Sequence, residues 1–558
     1  MEVDLSRSKS VSVPVSIAAS IALLAYLVIQ VRWIFMYRRG LLDIDEAGYL
    51  LMAFRHYHAL RESGFVAWIR SVFEPSVFSP MTPGVASLVF AVYGPDPVNG
   101  FLVTVLFGAI AVIVTYLLGK QVAGESVGLA SAALLATTPL ILMYSRSFQF
   151  SIPATAITAL ALLSLIKSER AQHWGWVIGF GIFVGSMPLA RSMTLGFIPC
   201  VGAAALVYVI FEQDSWVRIS RLAIAGVVAV LTSLTWLWKS GSFVWRYLFE
   251  FGYGSRAIEF GPKTTWLGSV QDLMDRTVHQ LYLPHALVLG VGMVAGVVVL
   301  IRAVSAQRLV PTLRSPLTPL AVFSVLCVIV LSSTRNEGSA FIAPALPTVY
   351  VVVAAVLYAI AGSASRWVSL AVAAVALVAF LPFMDLRWSL AAPHWIETPF
   401  TSIMVTNGSG TEQQYEAAFD LNTDEPEQTE AWKLMNARTA KRLGGKPTAM
   451  GFRAVVYNVN TLGLANYLAN WTDLEMTQIE PVAIGEGMDN HKAWLSPGGA
   501  ASRACTLLTA AGDQAEFSPL VNTPMLEQAA RAVGFAQVDE WSMPNGRLVR
   551  MWTRPCPA

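Results

Sequence analysis

Three acids fall within four residues at Asp43-Ile44-Asp45-Glu46. Like charges this close raise one another's pKa, which can leave one carboxylate poised as a general base. The same residues also suit an ordinary helix start, because the helix dipole favours acids in a first turn. Arg191 stands in Met187-Pro-Leu-Ala-Arg191-Ser-Met193, a stretch with almost no other polar residue. A guanidinium held there can grip a phosphate through paired hydrogen bonds, or simply anchor a helix end at a membrane surface. Arg335 and Glu337 fill a comparable polar turn, Ser333-Thr-Arg335-Asn-Glu337-Gly338, and Arg146 fills a third, Tyr144-Ser-Arg146-Ser147. Three turns with one Arg each fit an anionic ligand at one face, and they fit ordinary loop charge as well. His56 and His58 follow the acids by about three helical turns and read as solvated interface histidines.

The medium that must position these groups is a membrane. Of the 558 residues, 55% are hydrophobic and only 13% charged, with a mean hydropathy of +0.55. A soluble domain carries about 25% charged residues. That composition excludes a disordered chain, a collagenous chain and a disulfide scaffold. The 38 Lys and Arg against 36 Asp and Glu leave +2, so no basic field exists to attract a nucleic acid. Cys200, Cys327, Cys505 and Cys556 are too scattered for a metal-ligand pattern.

From Ser16 to about Met384 the chain is a succession of apolar runs. Crossing ~30 Å of hydrocarbon takes ~20 apolar residues. Runs near that length occur at about 14–31, 99–119, 126–143, 152–166, 174–189, 193–211, 222–238, 285–303, 317–333, 341–360 and 367–384, which predicts about eleven spans. Lys120, Lys167, Arg170, Arg218, Arg221, Arg302, Arg308, Arg314 and Arg366 then share one side, which the positive-inside rule makes cytoplasmic. The expected protein is a multi-pass plasma (inner) membrane protein with its N-terminus inside and its C-terminal region outside. Its first run follows Arg7 and Lys9 but precedes Arg32-Trp33 rather than a cleavage site, so it reads as an uncleaved anchor.

Residues 32–97 and 239–284 are long outer segments that mix aromatics with charge, as interfacial amphipathic helices do. The apolar piece Gly84–Tyr93 is too short to cross. A membrane domain is thus expected over 1–390 and a small extracytoplasmic α/β domain over 391–558. Within the latter, Glu412–Leu443 and Met525–Val533 read as helices and Ala449–Asn458 and Ala504–Thr509 as strands. Phe535–Trp541 and Leu548–Trp552 read as a hairpin closed by Pro544-Asn-Gly546. Asn458-Val-Asn-Thr461 reads as the cap of a following helix.

The order of these features resembles the GT-C superfamily of membrane glycosyltransferases, nearest to the branch of protein O-mannosyltransferases and lipid A aminoarabinose transferases. Asp45-Glu-Ala-Gly-Tyr49 matches the DE-x-x-Tyr pattern in that branch's first outer loop. Phe78-Ser-Pro-Met-Thr-Pro-Gly84, Tyr93-Gly94, Tyr116-Leu-Leu-Gly-Lys120, Ala133–Pro139 and Tyr144-Ser-Arg146 follow in family order. Leu189-Ala-Arg-Ser192 and Phe341-Ile-Ala-Pro-Ala-Leu-Pro347 come after them, so the match covers about residues 15–385. In the branch an Asp often follows the Arg of the second outer loop by five residues; here Ser151 takes that place.

The resemblance implies an inverting glycosyltransferase with a polyprenyl-phosphate-linked sugar as donor and a glycan, lipid or protein acceptor. It assigns Asp45 as general base, with Glu46 orienting the acceptor or Asp45. Arg191 and Arg335 would hold the phosphate, and Tyr49, Arg146, Glu337 and Asp43 would complete the binding site. No cofactor or metal is expected, because the two Arg can do a metal's electrostatic work. Two other readings fit the same residues: a non-catalytic transport or assembly subunit that keeps the fold, and a transferase that elongates a polysaccharide or glycolipid.

Overall fold

A computed structural model describes residues 13–38, 42–254, 256–257, 265–305, 313–335, 338, 340–381, 394–398, 402–406, 426–454, 456–480, 484–485, 487–510 and 521–556. Glu337 and Arg308 lie outside the described residues.

A membrane helix bundle fills the first two thirds of the chain. Its helices are α1 (Val13–Trp33), α2 (Ile44–Val72), α3 (Met81–Tyr93), α4 (Pro97–Ala123), α5 (Glu125–Thr137), α6 (Pro139–Ser145) and α7 (Ser151–Lys167). They continue with α8 (Trp174–Ala190), α9 (Ile198–Ile210), α10 (Ser215–Gly252), α11 (Trp266–Ser305), α12 (Thr318–Ser332), α13 (Leu346–Ala361) and α14 (Ser365–Phe380). A helix occupies each of the apolar runs read from the sequence.

By length and composition, five stretches among the described residues can each cross a membrane, and a sixth can if the bent pair α5–α6 is one span. Several of the other apolar runs form helices shorter than a full span among the described residues. Helices such as α7 and α8 have 17 residues, about 26 Å at 1.5 Å per residue and short of the ~30 Å core. Thr138, before Pro139, bends α5 into α6 by 61°. The two runs expected at 341–360 and 367–384 count once, because Ala343–Phe380 is one continuous helical stretch through Gly362, at φ +51°.

The segments 32–97 and 239–284 hold helices as well among their described residues. The first holds α2 and α3. In the second, α10 extends to Gly252 and α11 starts at Trp266, breaking at Tyr282 two residues before Pro284. Helix α8 packs closely on α10, where a Cβ at Gly185 would sit 2.4 Å from the Ala229 carbonyl oxygen.

The C-terminal α/β region has a hairpin, β1 (His394–Glu397) with β2 (Ser402–Thr406), then α15 (Pro426–Leu443), β3 (Thr448–Met450), α16 (Val459–Asn470) and β4 (Met476–Gln478). It continues with α17 (Met488–Leu495), β5 (Thr506–Ala510), α18 (Thr523–Ala532), β6 (Ala536–Ser542) and β7 (Leu548–Thr553). The sheet runs β4-β3-β5-β7-β6, with β4, β3 and β5 parallel and β7 antiparallel to both β5 and β6.

The hairpin and the β5 strand agree with the sequence reading. The strand expected over Ala449–Asn458 stops at Met450, because the chain turns away to place Asn458 as the cap of α16. The described part of the Glu412–Leu443 helix begins at Pro426. Cys505 and Cys556 form a disulfide that ties the entry of β5 to the end of the chain. Leu464 and Tyr467 of α16 join the core of the helix bundle, so the two regions share packing.

Candidate active site

The acids open α2. Asp43 caps the helix, its Oδ1 accepting from the Glu46 N–H at 2.7 Å, and Glu46 returns the bond by accepting from the Asp43 N–H at 3.3 Å. This reciprocal capping box fixes the first turn. On a helix, residues four apart share a face and adjacent ones do not. Asp45 and Tyr49 accordingly turn to one side, where with Asp43 they line a cavity of about 770 Å³.

Glu46 turns the other way and is fully buried. Its Oε1 accepts from Ser147 Oγ at 2.7 Å and from the Phe148 N–H at 2.9 Å. The structure therefore places Glu46 as a clamp between α2 and the turn before α7, and it is absent from the cavity wall. Tyr49 packs between Phe78 and Phe150, with ring centroids 5.3 and 4.0 Å away.

Arg191 comes to the cavity from the end of α8. Pro188 lies inside that helix, and Arg191 ends it in an extended conformation (φ −158°, ψ 124°). Thr194 holds its carbonyl from both the backbone N–H and Oγ1. The guanidinium donates from Nη1 to Ser151 Oγ at 2.6 Å and lies 4.6 Å from the centre of the Phe341 ring. Ser151, which the sequence resemblance set where an Asp is often expected, is thus a hydroxyl already bound to this cation.

Asp45 is exposed to a water-sized probe, yet protein surrounds it closely enough for desolvation to dominate its acidity. Both statements hold because its accessible surface faces the cavity. Burial pushes the carboxyl above the usual carboxylate range, Arg191 opposes the shift, Glu46 adds to it, and Arg453 opposes it again. No ion pair joins Asp45 to Arg191 among the described residues.

The other residues expected at this site are dispersed. Arg146 is buried, donating from Nε to Gln30 Oε1 at 2.6 Å and covering the Trp33 ring at 4.6 Å. Arg335 is half-buried and follows the lining residue Thr334 without itself lining the cavity, and its backbone N–H donates to the Gly252 carbonyl. His56, read from the sequence as a solvated interface histidine, is instead buried where α2 folds back on its own end, with Nδ1 2.7 Å from Ser71 Oγ, and burial lowers its pKa to about 4. The His58 ring lies 5.3 Å from that of Trp471.

The cavity also uses Tyr144, Tyr247 and Phe251, which the sequence reading did not single out. The aromatic i, i+4 pair Tyr247–Phe251, with ring centroids 4.5 Å apart on the extension of α10, was the available signal. The remaining wall is largely apolar, with Val77, Phe78, Leu195, Phe197, Val330 and Leu331. Among the described residues, no group of three or more His, Cys, Asp or Glu side chains could hold a metal ion.

Comparison with known proteins agrees with this fold. Residues 75–238 match the family model described as dolichyl-phosphate-mannose-protein mannosyltransferase, a span that includes Ser151 and Arg191. The fold is similar to that of ArnT from Cupriavidus metallidurans bound to undecaprenyl phosphate, with TM-score 0.61 and 13% identity over 97% of this chain and 98% of that one. It is also similar to the archaeal oligosaccharyltransferase AglB from Archaeoglobus fulgidus, in complex with an inhibitory peptide and a dolichol-phosphate. That match has TM-score 0.51 and 12% identity over 89% of this chain and 70% of that one. No curated protein matches the chain by sequence. The bundle has the GT-C fold that the sequence resemblance implied.

Proposed function

We propose that the protein is an inverting membrane glycosyltransferase that moves a sugar from a polyprenyl-phosphate donor to an acceptor hydroxyl. The observation that carries this reading is a carboxylate and a guanidinium, Asp45 and Arg191, lining the same cavity without an ion pair between them, with the second carboxylate there, Asp43, occupied as the cap of α2. Asp45 takes the hydroxyl proton as the acceptor oxygen attacks the anomeric carbon. The bond from that carbon to the phosphate oxygen breaks, and the polyprenyl phosphate leaves with its charge neutralised by Arg191. Preorganised charges in a water-poor site are the largest common source of such stabilisation. The apolar wall suits the prenyl chain.

Glu46 serves as a positioning residue, and the phosphate falls to Arg191, with Arg335 in a supporting role from the turn after α12. A divalent ion is not needed in this reading: the described residues hold no group of three or more candidate ligands, and Ser151 already accepts from Arg191. The C-terminal region is assigned to the outside. Its Cys505–Cys556 disulfide suits an oxidising compartment, and the basic loops gather at the other end of the bundle. A cysteine placed at the exposed Gly445 labels from outside the cell in this topology; labelling from the cytoplasm alone would reverse it.

The test of the donor site is undecaprenyl phosphate binding to the purified protein in EDTA. Arg191→Ala loses a charged hydrogen bond of about 1.5–3 kcal/mol, so affinity falls by about 10- to 150-fold. Arg191→Lys falls between the two, because an ammonium cannot match the guanidinium fork. Unchanged binding in Arg191→Ala, with lowered stability, would reduce Arg191 to an interfacial anchor. A requirement for added divalent ion would contradict the metal-free reading.

A further inference from the structure

Helix α2, which carries Asp45, is held from above by α16 of the C-terminal region. Beside the charge of Arg453, which acts on Asp45 from the same region, one hydrogen bond reaches the backbone next to the acid: Asn460 Nδ2 donates to the Ile44 carbonyl at 2.7 Å. Ile44 is the first residue of α2, directly before Asp45, and both line the cavity. Gly48 makes the approach possible. A Cβ at Gly48 would stand 2.9 Å from Asn460 Nδ2 and 3.2 Å from its Cγ, inside van der Waals contact. Asn460 cannot simply swing away and keep its bond to Ile44.

The donor is itself fixed. Asn458 Oδ1 accepts from the N–H groups of Asn460 and Thr461 at 2.9 and 3.0 Å, and Thr461 Oγ1 accepts from the Asn458 N–H at 2.9 Å. Thr461 Oγ1 also donates to Asn436 Oδ1 at 3.1 Å, which ties this cap to α15. Farther along α2, Arg55 pairs with Asp473 at 2.7 Å, and Trp471 packs against Phe54, Tyr57 and His58. Those contacts dock the region as a whole. The Asn460 bond acts on the backbone at the acid's own position.

We propose that Asn460, with Gly48 as its socket, is a positioning residue that sets Asp45 in register with Arg191. On this view the C-terminal region takes part in the reaction by holding the start of α2. The inference rests on the transferase reading given above. Displacing a reacting group by about 1 Å can cost a factor of about 10², and losing one of several restraints on α2 costs less.

The test is a mutant cycle in the full-length protein: Asn460→Ala, Gly48→Ala and the double variant. Turnover and donor KM come from a transfer assay with undecaprenyl-phosphate sugars, and amide exchange is followed over residues 44–49. Asn460→Ala should lower kcat about 10-fold with donor KM unchanged. Exchange should quicken at residues 44–49 and stay as in the wild type across β3 and β5. The acid limb of its pH–rate profile should move upward, because Asp45 drifts from the guanidinium that opposes its burial. Gly48→Ala should behave alike, and the double variant should be no worse than either single one.

Wild-type kcat and an unmoved acid limb in Asn460→Ala would overturn the proposal, as would penalties that multiply in the double variant. A general quickening of exchange that includes the sheet would also overturn it, since it marks a merely structural role. Absence of turnover in the wild type itself would overturn the transferase reading instead.

Discussion

At one end of the helix bundle, arginines are bound to the main chain of neighbouring turns. Arg170 donates to the Arg314 carbonyl at 2.7 Å, Arg314 to that of Phe211 at 2.8 Å, and Arg218 to that of Arg170 at 3.1 Å. Arg221 reaches the carbonyls of Ala171 and Gln172 at 3.0 and 3.1 Å. These bonds hold Glu169, Arg170 and Ala171 in the left-handed region, at φ 48°, 59° and 63°, a conformation that costs free energy in non-glycine residues. At the other end, Asp45 and Arg191 share a cavity and make no ion pair. At the first end the guanidiniums are taken up by loop carbonyls; at the second, Arg191 binds Ser151 and the Ala340 carbonyl and still lines the cavity beside the carboxylate of Asp45. The same residue type, Arg in a short turn between helices, serves both ends.

Breaking the cavity end should have the largest consequence. Asp45→Asn keeps shape and removes basicity, so transfer should fall by a factor of about 10² or more, with expression and thermal stability unchanged. Near-normal transfer would move the base to Asp43 or take the acids out of the reaction. The opposite end should respond in the opposite sense and more weakly. Arg221→Ala loses two bonds to carbonyls from a half-buried side chain. It should cost about 1 kcal/mol of stability and leave kcat per folded molecule untouched. A loss of kcat in Arg221→Ala would dissolve the contrast between the two ends.

Much of this was legible in the sequence. Apolar runs and their order identified the bundle, and Asp45 and Arg191 stood out because charge beside an apolar span is costly, at about 2.5–3.5 kcal/mol when buried at mid-membrane. What the sequence could not tell was direction. Asp45 and Glu46 are adjacent acids, and a helix turns neighbours about 100° apart, so one faces the cavity and the other the core. Arg146 and Arg191 both read as outer-turn cations, yet Arg146 is turned onto Gln30 and Trp33. Arg453 and Asn460 act near Asp45 from more than 400 positions along the chain. No local pattern announces such partners.

The central claim, that Asp45 acts as a base in the cavity it shares with Arg191, is tested most directly by the pH dependence of kcat in the wild type and in Asp45→Asn. A base must be ionised, so the rate should rise with pH through the pKa of Asp45. Burial places that limb above the ordinary carboxylate value of about 4. The account predicts this acid limb in the wild type and its disappearance from the residual activity of Asp45→Asn. An acid limb of the same position and height in both proteins would contradict it.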